Sequence, residues 1–229
     1  MKLSKYIFRS LLLFSIVFTN STLNAQDDEE DDEIYSRIKP KHSMTIELGL
    51  PVPVRNKGFN GFLQGIVNFS PYYHYNFQNN LSLGIGGNYS YFWINRVLET
   101  SNKNLGGIHN TGLFLKFGHE KFYTDRLGTD VGIKFGGQQL TFDSDFNQSN
   151  IGGALSKTVY YVEPTVGIVL TASEYTSYRW LVGYTIQNFT FDPTQLGFTP
   201  SSTYSGSDYN SFTQFLTVGF GFTYYFKQH

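Results

Sequence analysis

The chain has 229 residues, a net charge of −1 and no cysteine. Near-neutrality excludes the basic field that nucleic-acid binding relies on, and the missing cysteine excludes disulfides and thiolate chemistry. Aromatic residues make up 18 % and charged ones 15 %, whereas a soluble domain carries roughly a quarter charged residues.

Residues 1–25 read as a secretory signal peptide. Lys2, Lys5 and Arg9 form a basic start, and Leu11–Phe18 is an apolar run too short to span a bilayer as a helix. Asn24-Ala25 before Gln26 offers a cleavage site. Residues 26–42 form an acidic segment containing Asp27–Glu33, a block of like charges that reads as a solvated spacer or a docking tail.

From residue 43 onward the chain alternates apolar and small polar side chains, the period of a strand with two unlike faces. The first segment, Ser43–Val52, sets Met44, Ile46, Leu48, Leu50 and Val52 against Thr45, Glu47 and Gly49. The second, Val67–Phe77, sets Phe69, Tyr73, Tyr75 and Phe77 against Ser70, Tyr72, His74 and Asn76, with Pro71 as an obstacle to ladder pairing. The third, Leu81–Trp93, alternates leucine and aromatic residues with Ser82, Gly84, Gly86, Asn88 and Ser90. His109–Gly118, Leu127–Phe135, Thr158–Leu170 and Arg179–Phe189 follow, with Pro164 a second obstacle. The last segment, Ser211–Phe226, presents its even-numbered residues from Phe212 to Phe226 as one largely aromatic face.

Eight segments is an even number, as a single-chain outer-membrane barrel requires. The links alternate as well. Gln78–Asn80, His119–Arg126 and Thr171–Tyr178 are short, whereas Pro53–Ile66, Ile94–Ile108, Gly136–Lys157 and Thr190–Asn210 are long. Long outer loops and short periplasmic turns put both termini in the periplasm. A soluble sandwich or lipocalin-like barrel would expose a charged face, but here the second face is mostly Gly, Ser, Thr and Asn. The expected fold is therefore an all-β, eight-stranded antiparallel transmembrane β-barrel over residues 43–226, following a cleaved signal peptide.

The terminal GFTYYF, with Gly221, Tyr224 and Phe226, resembles the assembly signal read by the barrel-assembly machinery. Gly219 stands where that signal carries a polar residue, and three residues follow Phe226. The run Ser70–Phe92 resembles the second-to-third strand hairpin of small outer-membrane barrels of Bacteroidota, the PorT-like and OmpW/OmpX-like groups. The resemblance covers residues 43–226. It implies location in the outer membrane, contact with its lipid and insertion by the assembly machinery. Subunits of an envelope complex are the partners that PorT-like proteins imply.

The second face carries Glu47, Lys116, Asp130, Lys134 and Glu163. Eight strands leave an interior that side chains fill, and buried charges need partners. A structural lumen ion-pair network is expected, with Glu47 or Glu163 reaching Lys116 or Lys134. Catalytic chemistry has little footing. His109 shares a region with Glu99 and Ser101, but no motif assembles them. His42, His74, His119 and His229 lack metal-ligand spacing, and Gly84–Gly87 lies within a strand rather than at a phosphate-cradling turn, so no cofactor is expected. The function expected is a non-enzymatic outer-membrane barrel, structural or accessory to an envelope or secretion assembly. The alternatives are a narrow pore or carrier for small or hydrophobic solutes and, third, a lipid-modifying barrel enzyme.

Overall fold

The computed structural model describes residues 41–77, 79–94, 106–150, 152–198 and 210–226. The leader, the acidic run Asp27–Glu33, and Glu99, Ser101 and His229 lie outside these residues. The strands are β1 (His42–Arg55), β2 (Leu63–Asn76), β3 (Leu81–Ile94), β4 (Gly106–Phe122), β5 (Leu127–Ser144), β6 (Leu155–Ser173), β7 (Thr176–Gln187) and β8 (Gln214–Tyr225). Each pairs antiparallel with its sequence neighbours, and β8 returns to β1 to close the barrel. Helix α1 (Lys57–Phe62) joins β1 to β2 and helix α2 (Asp145–Asn150) joins β5 to β6. A short 3₁₀ turn (Pro193–Leu196) lies between β7 and β8. These connections gather at one end, the loop end. The other, terminal end has tight turns, and only Glu174 and Tyr175 separate β6 from β7.

Strand parity follows from the period of two. On β8 the even residues Val218, Phe220, Phe222 and Tyr224 are exposed, while Thr217, Gly221, Thr223 and Tyr225 face the interior. The same holds on β1, where Met44, Ile46, Leu48, Leu50, Val52 and Val54 point outward and Ser43, Thr45 and Glu47 inward. Pro71 and Pro164 each interrupt the ladder on one side only. Pro71 stays in register with Ile46 of β1 but the β2–β3 register skips it, and Pro164 keeps Ile133 of β5 but drops from the β6–β7 register. A strand interior thus accommodates a proline by giving up one partner's bond.

Strands β1 to β6 reach further toward the loop end than the sequence pattern indicates, whereas β7 and β8 stop short of it, β8 starting at Gln214 and not at Ser211. β5 continues past Phe135 to Ser144, and β6 starts at Leu155, so the expected loop Gly136–Lys157 shrinks to residues 145–154. The reason is that the pattern inverts there. Leu140 and Phe142 point inward and are buried, while Gln139, Thr141 and Asp143 point outward. The 18 residues of β5 cover about 45 Å along the barrel axis at a usual tilt, well beyond an apolar belt of about 25 Å. β2 starts earlier than expected for another reason. A bulge between Gly65 and Val67 shifts the parity, so Leu63 faces inward where an unbroken alternation would send it out. β7 runs over Thr176–Gln187 rather than Arg179–Phe189, and Phe189 turns inward beyond its end.

The wall has a seam between β1 and β2. The β1–β2 register covers His42–Gly49 against Tyr75–Asn68 and stops, although β1 stays paired with β8 as far as Arg55. Beyond it Pro51 and Pro53 have no N–H to give. The backbones still touch: a Cβ on Gly65 would lie 1.6 Å from the Pro51 carbonyl oxygen, so only glycine fits there.

Inside, three zones succeed one another. Toward the terminal end lie Ser43, Thr45, Ser177, Thr223 and Tyr225, all buried. A charged layer follows. The loop end is apolar, with Phe92, Ile94, Ile108, Leu140, Phe142 and Phe215 from the strands. Phe59 and Phe62 of α1 and Leu196 of the 3₁₀ turn close over them. Two asparagines pin this cover. Asn56 accepts from the Phe59 N–H at 2.9 Å and donates to the Ser211 carbonyl at 3.0 Å, and Asn147 donates to the Phe142 and Gln195 carbonyls at 3.1 and 3.0 Å.

Candidate functional site

The charged layer gathers side chains from six strands around the barrel axis. Lys134 of β5 donates to Glu47 Oε2 of β1 at 2.8 Å and to Glu163 Oε1 of β6 at 2.9 Å. Lys116 of β4 donates to Asp130 Oδ2 of β5 at 2.6 Å and to the Tyr72 hydroxyl at 3.0 Å. Arg179 of β7 donates to Asp130 Oδ2 at 2.8 Å, to the Tyr72 hydroxyl at 3.3 Å and to Glu120 Oε2 at 3.3 Å. Tyr72 of β2 ties the halves together by donating to Glu47 Oε1 at 2.8 Å. Thr185 extends the chain toward the loop end by donating to Glu163 at 2.7 Å, and Tyr225 extends it toward the terminal end by donating to Glu120 at 3.0 Å.

The layer needs room, and glycine supplies it. β3 and β8 contribute no charged group to this layer. They contribute Gly84, where a Cβ would lie 3.2 Å from His74 Cβ, and Gly221, where it would lie 2.7 Å from Arg179 Cγ. Gly132 and Gly183 likewise sit against Lys116 and Glu163. Every charge in the layer is buried, so desolvation opposes each one, and only the multiple short contacts offset that cost. Such an arrangement fills and stiffens a barrel.

The five charges named from sequence all face this interior. Lys134 takes both Glu47 and Glu163, whereas Lys116 takes Asp130 instead. Arg179, Glu120 and Tyr72 were missing from the expected set. Arg179 shares the inward parity of Gly183 and Thr185 within its own expected segment, and Glu120 shares that of Lys116 two residues past the expected segment, so parity alone marks the first and parity carried one step further marks the second.

The residues of the assembly signal part company. Tyr224 and Phe226 are exposed on the outer face near the terminal end, where they pack edge to face with centroids 5.5 Å apart. Gly221 points inward between Arg179 and Glu47. Gly221→Ala is therefore expected to push the Arg179 side chain aside and lower stability by about 1–3 kcal/mol. The urea midpoint of the barrel refolded in lipid vesicles measures this, and an unchanged midpoint would mean that the guanidinium moves at no cost.

His109 and His42 pack on tyrosines of the wall. The His109 ring lies on the outer face of β4, stacked on Tyr91 with centroids 4.5 Å apart, and its Nδ1 meets the Tyr89 hydroxyl at 2.8 Å. His42 is hydrogen-bonded to the Tyr73 hydroxyl and packs edge to face on Tyr75. His74 is buried inside, its ring edge to face with Tyr72. Among the described residues no group of three or more histidine or carboxylate side chains converges as metal ligands would.

The sequence matches no family model and no curated protein. Its fold does match solved structures. Neisserial surface protein A is 9 % identical with a TM-score of 0.50, and the match covers 81 % of this chain and 97 % of that one. OprG from Pseudomonas aeruginosa is 12 % identical with a TM-score of 0.47, over 82 % of this chain and 98 % of its own. A major outer membrane protein from Thermus thermophilus is also 12 % identical, with a TM-score of 0.46, over 80 % and 98 %. At such identities the likeness concerns architecture alone. The chain thus has the fold of the small outer-membrane β-barrels, closed, antiparallel and eight-stranded.

Proposed function

We propose that the protein is a non-enzymatic outer-membrane barrel that acts through its surfaces, as a structural or accessory subunit of an envelope or secretion assembly. Its termini and acidic segment would then lie in the periplasm, and the loop end would face outward. The observation that carries this reading is the filled interior, because a barrel plugged by ion pairs and then by packed phenylalanines offers no aqueous path. The exposed belt rich in Leu, Val, Ile and aromatic side chains supports placement in lipid. His109 spends its Nδ1 and one ring face on two tyrosines, which speaks against a lipid-modifying centre built on it.

The test has two parts. In planar bilayers the refolded protein is expected to give no conductance steps. In native outer membranes, crosslinking is expected to capture a recurrent neighbour, and truncating Asp27–Glu33 to release it if the acidic segment docks. Discrete steps, or crosslinks to lipid alone, would sink the proposal. A second reading, a carrier for small hydrophobic solutes, is favoured by the β1–β2 seam, where the wall is held by close contact instead of ladder bonds. A disulfide engineered across that seam would block such a carrier.

A further inference from the structure

Near the terminal end a groove of about 720 Å³ is lined by the outward-facing Lys41, Tyr75, Phe77, Leu81, Leu83 and Phe117, with Asn76, Asn79, Ser82 and Gly118 between them. Its shape follows from the register. Tyr75 of β2 lies opposite Leu83 of β3, and Leu83 lies opposite Phe117 of β4. A short aliphatic side chain thus sits between two rings, two strand spacings or about 10 Å apart. Phe77 and Leu81 continue the pattern one step nearer the terminal end, where the Phe77 N–H donates to the Leu81 carbonyl at 2.7 Å to close the β2–β3 turn. The result is a trough with a leucine floor and aromatic walls, held open because Tyr75 packs edge to face on Phe77 at 5.0 Å and Phe117 on Phe135 at 6.3 Å.

The two ends of the trough differ. Along its length it merges with the apolar belt, since Leu81, Leu83, Phe77 and Phe117 are all exposed among outward-facing residues. At its terminal end it meets Lys41, which is exposed, and the polar Asn76 and Asn79. The backbone fixes Lys41 at this spot, because the Asn76 N–H donates to the Lys41 carbonyl at 2.7 Å. An apolar groove, with a cation where it leaves the apolar belt, matches an amphiphile with an anionic head.

We infer that this trough is a binding site for one phospholipid of the inner leaflet, its phosphodiester on Lys41 and one acyl chain along Leu81 and Leu83 between Tyr75 and Phe117. The inference rests on the reading of the chain as a membrane barrel with its terminal end at the inner face. It goes further, because a general lipid belt needs neither a fixed slot nor a particular cation. The phosphate charge selects Lys41, and the exposed leucine and aromatic lining selects hydrocarbon.

The test is native mass spectrometry of the refolded full barrel released from micelles carrying a small fraction of dioleoyl phosphatidylglycerol. The wild type is expected to retain one lipid. Lys41→Glu is expected to cut the retained fraction by about fivefold or more, since one basic group near a membrane surface is worth about that factor. Leu83→Phe fills the floor of the trough and is expected to abolish retention, while Val182→Phe on the opposite side of the barrel leaves it unchanged. Equal retention by all four proteins would mean unspecific lipid and overturn the site, as would a wild type that carries none. Heat-dependent gel mobility of each sample separates these outcomes from failure of the barrel reading. A wild type with no heat shift would overturn that reading and the site with it.

Discussion

Replacing Lys134 by methionine is expected to destabilise the barrel by about 3–5 kcal/mol, because the change strands buried carboxylates. Methionine keeps most of the side-chain volume, so the loss is electrostatic and not a cavity effect. Lys134 is the cation that both Glu47 and Glu163 share, at 2.8 and 2.9 Å. Without it Glu47 keeps only the Tyr72 hydroxyl and Glu163 only the Thr185 hydroxyl, among the contacts described above. Neither is charged, and both acids remain almost wholly removed from solvent. Neutralising them in the same protein, as Lys134→Met with Glu47→Gln and Glu163→Gln, is expected to recover most of the loss, since a buried ion cluster exchanged for neutral groups is often close to isoenergetic. Urea unfolding in lipid vesicles, followed by heat-dependent mobility, gives both numbers. A single mutant with the wild-type midpoint would show that the carboxylates reach water or lipid headgroups and that the layer is not sealed.

Phe92→Ala tests the other interior zone and is expected to cost about 3–5 kcal/mol by a different mechanism. Phe92 is fully buried, and its ring meets Phe59 of α1 at 4.9 Å and Phe215 of β8 at 5.1 Å. Removing it leaves a void beneath the helix that covers the barrel mouth. The cover is expected to loosen, so proteolysis between β1 and β2 should accelerate along with the drop in the unfolding midpoint. If the midpoint falls but cleavage at Lys57 does not change, α1 is held by Asn56 and the loop contacts instead of by the aromatic stack.

Much of the wall was legible in the chain because lipid imposes a rule that water does not. Outward residues inside the belt are largely apolar, so parity on β8, β1 and β3 could be read from Leu216–Phe226, Met44–Val52 and Leu81–Trp93, whereas Gln214 of the expected outer face of β8 is buried. What escaped lies where that rule lapses. Beyond Phe135 the outward side of β5 carries Gln139, Thr141 and Asp143 and its inward side Leu140 and Phe142, so a search for an apolar outer face stops short of the strand end. Leu63 escaped because a bulge reverses parity with no sequence mark except Gly65. For the same reason the lumen was expected to be polar throughout, and its phenylalanine plug was not foreseen. Glu120 was lost with the strand end that carries it, although it obeys the parity of β4, whereas Arg179 stands at the first position of its expected segment and was passed over there.

The inversion along β5 and β6 bears on how the chain knows its inside from its outside. In hydrocarbon, leucine gains nothing by turning from lipid to a dry interior, because both surroundings are equally oily. An apolar lumen at that depth would leave the two faces of each strand nearly interchangeable. Charged groups remove the ambiguity, since Lys134 or Arg179 turned toward acyl chains would be left without a counter-ion. Nearer the loop end, where Gln139, Thr141, Ser156 and Thr158 meet water, oil and water do the sorting, and phenylalanine suffices to mark the interior. The barrel thus carries two labels for the same side, written in opposite chemistries, and the depth at which one gives way to the other records where the membrane surface lies.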